Sequence, residues 1–251
     1  MQPEKSVTIE QLRAILRKDP AWSAYALGDL DLRWFLQCEW RVADGSLVLV
    51  VRAFDPPILF AIGDVQTCLE LVPDERAYGL QVRPDMGRAL SERYRFLPKP
   101  MARMALDIPR FPGFQGTAER LGRAHVGEMQ ALYRDGQSRG ESPDFFYESM
   151  VEEGVFFGVR EGGTLAAVAG THLVSDQESV AAVGNVYTRL RSRGRGFARQ
   201  ATAAVVAELL RRGIRDVALN VSAGNKIATR VYQSLGFRCA CAFFEGYAER
   251  I

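Results

Sequence analysis

An apolar stretch that leads into an arginine- and glycine-rich loop constrains this chain more than any other feature. The apolar stretch is Val180–Thr188, the loop contains Gly194 and Gly196, and an alanine-rich segment follows from about Phe197 to Arg212. Apolar residues in that segment recur at helical spacing. The sequence therefore predicts a strand, a loop and a helix in succession, which is typical of a sheet with helices packed on it.

The loop has the composition of a phosphate-binding loop. Glycines allow a ligand to approach the backbone closely, and the free amides and the dipole of a helix N-terminus favour an anion. Five arginines add positive charge: Arg189, Arg191, Arg193, Arg195 and Arg199. The segment lacks the G-K-[ST] of a P-loop and the G-x-G-x-x-G of a dinucleotide site. An exposed arginine-rich turn without a ligand is the alternative.

Two motifs, in order, resemble the GNAT superfamily of N-acetyltransferases. Arg193-Gly-Arg-Gly-Phe-Ala198 is similar to that family's R/Q-x-x-G-x-G/A loop. Asn225-Lys-Ile-Ala-Thr-Arg-Val-Tyr232-Gln-Ser-Leu-Gly-Phe237 resembles its N-x-x-A-x-x-x-Y-x-x-x-G-F segment. The resemblance covers residues 117–251. The lead-in Val186-Tyr-Thr188 is similar to the glycine N-acyltransferase-like branch, although Arg189-Leu190 replaces the proline-rich turn common there.

The resemblance implies acetyl-CoA as the acyl donor and assigns residues to it. Backbone amides of the loop would hold the pyrophosphate, and the edge of the preceding strand would pair with the pantetheine arm. Asn225 would either bind the cofactor or cap the following helix. The cofactor-binding residues expected on this basis are Val186, Tyr187, Thr188, Arg193, Gly194, Arg195, Gly196, Phe197, Ala198 and Asn225.

Acyl transfer to an amine also needs proton carriers. Tyr232 lies two helical turns past Asn225, so both can face the cofactor, and a phenol can protonate the departing thiolate. We therefore expect Tyr232 to be the general acid, with a purely structural core tyrosine as the alternative.

The general base is left open by the sequence. Four candidates are His172, Glu178, Glu141 and Asp144. The pair Ser142-Pro143 predicts the start of a helix that ends near Glu153. The consecutive aromatics Phe145, Phe146 and Tyr147 at this start cannot all point inward. One of them is expected to line the acceptor pocket and two to pack.

The chain before this region predicts a smaller α+β domain. Thr8-Ile-Glu-Gln11 has the pattern of a capping box, and Asp44-Gly45 predicts a hairpin turn. Because Arg110–Gly116 contains two glycines and a proline, we expect a linker there, with domains at 1–112 and 117–251. In the branch resembled, the N-terminal half is often a degenerate copy of the catalytic fold, so residues 1–112 could be such a copy. The predicted fold class is α/β with a mixed sheet.

Composition excludes several other classes of protein. The net charge is +2, which gives no reason to expect a polyanionic partner. Cys38, Cys68, Cys239 and Cys241, with two histidines, form no metal-ligand spacing, so no metal is expected. No apolar run reaches the roughly 18 residues of a membrane helix. The N-terminus has no apolar core of a secretory signal. We expect a cytoplasmic protein without nucleic-acid or membrane partners.

These features together predict an N-acetyltransferase that moves an acetyl or short acyl group from acetyl-CoA to the amine of a small molecule. The alternative is a catalytically silent CoA-binding sensor or interaction module with the same fold. A third interpretation, RNA binding by the arginine loop, predicts affinity that falls steeply with salt. Oligomeric state, the acceptor and the preferred acyl chain do not follow from the sequence.

Overall fold

The computed structural model describes residues 7–143 and 145–251. The helices are α1 (Ile9–Leu16), α2 (Ala24–Gly28), α3 (Leu32–Phe35), α4 (Val65–Leu71), α5 (Pro84–Leu90), α6 (Val126–Gln137), α7 (Glu148–Glu153), α8 (Phe197–Arg211) and α9 (Lys226–Ser234). The strands are β1 (Cys38–Ala43), β2 (Ser46–Val51), β3 (Ile58–Ile62), β4 (Ala77–Val82), β5 (Tyr94–Phe96), β6 (Lys99–Leu106), β7 (Glu119–Leu121), β8 (Phe156–Glu161), β9 (Thr164–Ser175), β10 (Val180–Thr188), β11 (Asp216–Ser222) and β12 (Phe237–Arg250).

The chain forms two compact units. The first runs through Arg103 and adds Val221–Gly224 and Cys239–Ile251, whereas the second consists of Met104–Asn220 and Asn225–Arg238. The end of the chain joins the first unit because β12 pairs with β4 in antiparallel fashion. The prediction placed this strand in the later domain. The division into domains at 1–112 and 117–251 stays a prediction.

The first unit is built on a hairpin followed by a parallel crossover. Strands β1 and β2 are joined by Asp44 and Gly45, whose φ values of 47° and 73° are those of a tight hairpin turn. Strand β3 pairs antiparallel with β2 and parallel with β4, and α4 connects the parallel pair. The predicted capping box at Thr8 is confirmed, because its hydroxyl accepts from the Gln11 amide at 3.3 Å. Buried aliphatic side chains of β2, β3 and β4 pack against α4 and α5.

The second unit repeats this order of strands and helices. Strands β7, β8, β9 and β10 pair antiparallel in sequence order, and β11 lies parallel to β10 after the α8 crossover. Buried side chains of α6 and α7 pack on the sheet around Phe156 and Tyr187. The predicted order of strands and helices after residue 117 is confirmed. No helix in the described residues combines the length and apolar character that crossing a membrane requires.

The predicted helix start at Ser142 is wrong. The helix α7 begins at Glu148, and the Ser142 hydroxyl donates instead to the carbonyl of Tyr133 in the preceding helix. This contact turns the Ser142 side chain toward α6, and residues 145–147 lie outside any helix or strand. Asp144, one of the predicted bases, lies outside the described residues.

Candidate active site

The site forms where β10 separates from β11. The parallel pairing between them runs from Val180 opposite Asp216 to Val183 opposite Leu219, and it ends there within the described residues. Strand β10 continues to Thr188, and this part is paired with β9 on its other side. The edge from Gly184 to Thr188 is therefore not paired with β11. Apart from the carbonyls of Asn185 and Thr188, which accept from side chains, its backbone can form hydrogen bonds with a ligand.

A bulge in β10 lies at the same point. The register with β9 shifts between Gly184 and Tyr187, and Asn185 between them has a φ of 52°. The Asn185 carbonyl accepts from the Tyr133 hydroxyl at 3.0 Å, which fixes the bulge to α6. Bulges next to functional sites commonly redirect side chains or strand edges. Asn185 was missed by the sequence analysis, although a Gly-Asn pair inside an apolar strand is a signal for a bulge.

The entry into the loop is fixed by Asp135 of α6. Its Oδ2 accepts from the amide of Leu190 at 2.7 Å and from the hydroxyl of Tyr187 at 3.1 Å. The hydrogen bond from the Leu190 amide is the main reason why the pKa of Asp135 lies below its usual range. The Arg189 amide also donates to the Ala166 carbonyl of β9. Asp135 therefore holds the turn at Arg189-Leu190 in place, where the resembled branch has a proline-rich turn.

Two of the predicted cofactor-binding arginines are paired with carboxylates. Arg193 forms an ion pair with Glu141 and donates from Nε to the Thr188 carbonyl at 3.2 Å. Arg195 pairs with Glu161. Both arginine side chains are about half exposed, so these ion pairs are screened by water and are weak. A bound pyrophosphate can compete for both guanidinium groups.

The N-terminus of α8 presents free backbone donors. Gly196 is the N-cap residue and has a φ of 79°, while Gly194 has a φ of 77°. The first bond of the helix runs from the Gln200 amide to the Gly196 carbonyl at 3.0 Å, so the amides of Phe197 and Ala198 precede the intrahelical ladder. A Cβ built on either glycine would meet open space, which leaves this end of the helix accessible.

The helix α9 carries the other two predicted residues. Asn225 is its N-cap, and the side-chain oxygen accepts from the Ala228 amide at 3.0 Å. Tyr232 is buried and packs edge-on against Phe237, with ring centroids 6.2 Å apart. Burial raises the pKa of Tyr232 to about 12, so the phenol stays protonated at neutral pH. The cap is observed. The roles of both residues toward a cofactor stay predictions.

The three remaining candidate bases occupy different environments. Glu141 is paired with Arg193. Glu178 is buried in the turn before β10, and Gly184 lies four residue steps, about 13 Å, along the strand from Val180. His172 of β9 lies against Gly184, since a Cβ built on that glycine would come within 2.1 Å of the imidazole Nε2.

The aromatic triplet divides as packing requires. Phe146 contacts Tyr133 and Phe156 in the core. Phe145 instead packs edge-on against His172 at 6.1 Å and against Tyr147 at 4.8 Å, and Tyr147 is exposed. In the described residues, no group of three or more histidine, cysteine or acidic side chains is arranged to hold a metal ion.

The chain is similar to a family model and to several solved structures. Residues 125–237 match the model of the acetyltransferase (GNAT) family. A GNAT-family protein from Novosphingobium aromaticivorans is 25% identical, with a TM-score of 0.62 over 93% of this chain and 97% of its own. A GCN5-related N-acetyltransferase from Kribbella flavida is 17% identical, with a TM-score of 0.65 over 91% and 93%. A Drosophila protein is 13% identical, with a TM-score of 0.68 over 98% and 97%. No curated protein matches the sequence.

The family match and the similarity to these structures confirm the predicted GNAT-like fold. The glycine N-acyltransferase-like branch stays a prediction.

Proposed function

We propose that this protein, whose residues 125–237 match the acetyltransferase (GNAT) family, transfers an acetyl or other short acyl group from acetyl-CoA to the amine of a small molecule. The family match and the fold support acyl transfer in general. The observation that carries the finer proposal is the separation of β10 from β11, in the same strand–loop–helix segment as the N-terminal amides of α8. An extended arm and a pyrophosphate are the two chemical parts that such a cleft accepts.

The pyrophosphate fits the loop and the helix terminus. The amides from Gly194 to Ala198 precede the hydrogen-bonded part of α8, and the positive end of the helix dipole lies behind them. The N-cap is a glycine, so no side chain of its own occupies these donors. Arg193 and Arg195 would exchange their exposed partners Glu141 and Glu161 for phosphate oxygens.

The pantetheine arm fits the strand edge. Its amides can pair with the backbone of Val186–Thr188, which is free of β11 in the described structure. A thioester at the end of the arm would then lie near the bulge at Asn185. A backbone amide at this bulge would stabilise the oxyanion that forms when an amine attacks the carbonyl.

Two further residues, Tyr232 and Asn225, have roles in this proposal. Tyr232 would give its proton to the departing thiolate, since burial keeps the phenol protonated. Asn225 would act mainly through its cap on α9, which holds the start of that helix in place. No metal takes part in this proposal. We also propose a cytoplasmic location and no nucleic-acid or membrane partner.

A titration calorimetry experiment tests the cofactor first. We expect acetyl-CoA and CoA to bind with one site per chain, and ATP to bind far more weakly because it lacks the pantetheine arm. A thiol-release assay with a panel of alkylamines, amino acids and aminoglycosides then tests transfer. Binding without release from any amine would identify a CoA-binding module instead of an enzyme. The absence of binding at millimolar acetyl-CoA would refute the proposal as a whole.

A further inference from the structure

His172 is placed by an irregularity in β9. Leu173 pairs with Ala182 and Thr171 pairs with Val183, so His172 is an extra residue between two consecutive pairs. Its imidazole lies over the backbone of Gly184. A side chain at that position would collide with the ring, because a Cβ there would be 2.1 Å from Nε2 and 2.4 Å from Cδ2. The glycine is therefore what allows the histidine to reach the strand.

Gly184 lies at the point where β10 separates from β11. Gly184 is the first residue of β10 beyond the last pair with β11, Val183 opposite Leu219. It is also the residue before Asn185, whose positive φ marks the bulge. The imidazole thus lies where the cleft between the two strands closes, which is where the proposed thioester would end.

The surroundings of His172 are aromatic. Phe145 packs edge-on against the imidazole, and Tyr147 packs edge-on against Phe145. Tyr147 is about half exposed, so this aromatic wall, Phe145 and Tyr147, reaches from the imidazole to solvent. Burial lowers the pKa of His172 to about 4, so the ring is neutral at pH 7 and one of its two nitrogens is a hydrogen-bond acceptor.

Resting on the proposed function, we propose that His172 is the general base that takes the proton from the attacking amine, and that the aromatic wall borders the acceptor site. The amine nitrogen forms a bond to the thioester carbonyl carbon, and the carbon–sulfur bond breaks. One amine proton passes to His172, and the thiolate receives a proton from Tyr232. The products are an amide and a thiol, and His172 and Tyr232 then exchange protons with solvent.

The acidic candidates are less suited to this step. Glu141 is held by Arg193 of the loop, and Glu178 lies beyond the opposite end of β10. The imidazole of His172, by contrast, lies directly against Gly184. A base must come within hydrogen-bond reach of the nitrogen, directly or through one water.

The test compares His172→Gln with His125→Gln, which changes the chain's other histidine. His125 lies at the start of α6, where its Nδ1 accepts from the Gly122 amide, and it serves as a control for the loss of an imidazole. For an alkylamine of pKa about 10, we expect His172→Gln to lower kcat by roughly 10²–10⁴ and His125→Gln to leave it near the wild-type value. The dissociation constant of acetyl-CoA is expected to stay within about twofold in both variants.

A second acceptor separates a base from a structural role. A weakly basic arylamine or hydroxylamine enters the site already neutral and forms a more acidic intermediate, so it depends less on a base. We expect its rate to fall at least about tenfold less than the alkylamine rate in His172→Gln. Equal losses for both acceptors, or wild-type turnover of the alkylamine, would overturn the inference and leave the transferase proposal standing. Acetyl-CoA binding with no turnover in the wild type would overturn both.

Discussion

The two units share an order of elements and differ at the junction where a ligand would bind. Each has an antiparallel run of three strands, a helical crossover to a parallel strand, and a further helix: β1–β2–β3–α4–β4–α5 in the first unit and β8–β9–β10–α8–β11–α9 in the second. In the first unit, Gly63 and Asp64 alone connect strand to helix. In the second, residues 189–196 do so.

In the first unit, a side chain of the short junction occupies the N-terminus of the helix that follows it, α4. Asp64 is the N-cap of α4, and its carboxylate accepts from the amide of Thr67 at 2.9 Å. Gly63 is packed so closely on Ser46 that a Cβ would come within 2.5 Å of the serine hydroxyl. The long junction instead ends in Gly196, which caps α8 without a side chain and opens to solvent. An acidic cap repels an anion at the place where a glycine cap admits one.

The strand edges differ in the same way. In the first unit the parallel pairing ends at Phe60 opposite Gln81, and the carbonyl of the next residue, Ala61, accepts from the indole of Trp22 at 3.0 Å. Trp22 is fully buried, stacked on Phe60 and covered by the guanidinium of Arg103. The corresponding stretch of β10 keeps its edge free in the described structure. One topology thus gives a filled cleft and an open one, and the loops and side chains decide which.

The largest expected effect concerns the residue seven positions past the helix cap. In α9 this residue is Tyr232, seven positions after the N-cap Asn225. The equivalent residue in α5, seven positions after the N-cap Arg83, is Leu90. We expect Tyr232→Phe to lower kcat by roughly 10²–10⁴ because the thiolate loses its proton donor. Steady-state thiol release measures this, and calorimetry is expected to give an unchanged dissociation constant for acetyl-CoA. Wild-type turnover at saturating substrates would remove Tyr232 from the mechanism.

Removing the indole from the filled cleft tests the structural side of the comparison. We expect Trp22→Ala to lower the free energy of unfolding by about 3–5 kcal/mol, since a large buried ring leaves a cavity. Urea unfolding followed by circular dichroism measures this. Trp22→Phe keeps a ring and loses the bond to Ala61, so its loss is expected to be smaller.

The same variant addresses binding. Asp64 still caps α4 in Trp22→Ala, so the opened cleft is expected to take no acetyl-CoA and the stoichiometry is expected to stay at one per chain. A second calorimetric site in Trp22→Ala would contradict the view that the first unit lacks an anion site.

Transferring the acidic cap to the open cleft is expected to have an intermediate effect. Gly196→Asp places a carboxylate at the N-terminus of α8, as Asp64 does in α4. We expect acetyl-CoA to bind about 100-fold more weakly, a change of about 2.7 kcal/mol, because the carboxylate repels the pyrophosphate and competes for its donors. Gly196→Asn is the matched control, since Asn also tolerates a positive φ and carries no charge. Equal losses for both would assign the effect to backbone strain.

The smallest expected effect is at Asp135, which anchors the long junction. Asp135→Asn is expected to cost about 1–2 kcal/mol of stability at pH 7, because an amide oxygen accepts less strongly from the Leu190 amide and the Tyr187 hydroxyl. The pKa of Asp135 is lowered in the folded protein, so its contribution is present above its usual value of 3.8 and is lost as the pH falls through the lowered value. Urea unfolding from pH 7 to pH 3 is expected to show a smaller decline in the variant than in the wild type. Parallel declines would exclude this role.

Local features of this fold could be predicted from sequence because they depend on near neighbours. The capping box at Thr8, the hairpin at Asp44-Gly45 and the order of elements after residue 117 each follow from spacing within a few residues. The helix predicted from Ser142 begins instead at Glu148, and the Ser142 hydroxyl is directed at the carbonyl of Tyr133, nine residues back in the chain. The same local signal therefore has two outcomes, and the packing of the preceding helix chooses between them.

The sequence alone determined the strand, glycine loop and helix of the second unit, because φ preferences and helix periodicity act within that segment. Only the tertiary structure brought Asp135 to the loop, His172 to Gly184 and Trp22 to the edge of β3. The partners of Asp135 and Trp22 lie dozens of positions away in the chain, and His172 reaches Gly184 through a shift in strand register. No local spacing encodes such contacts, since they form only when the strands pair and the helices pack against them.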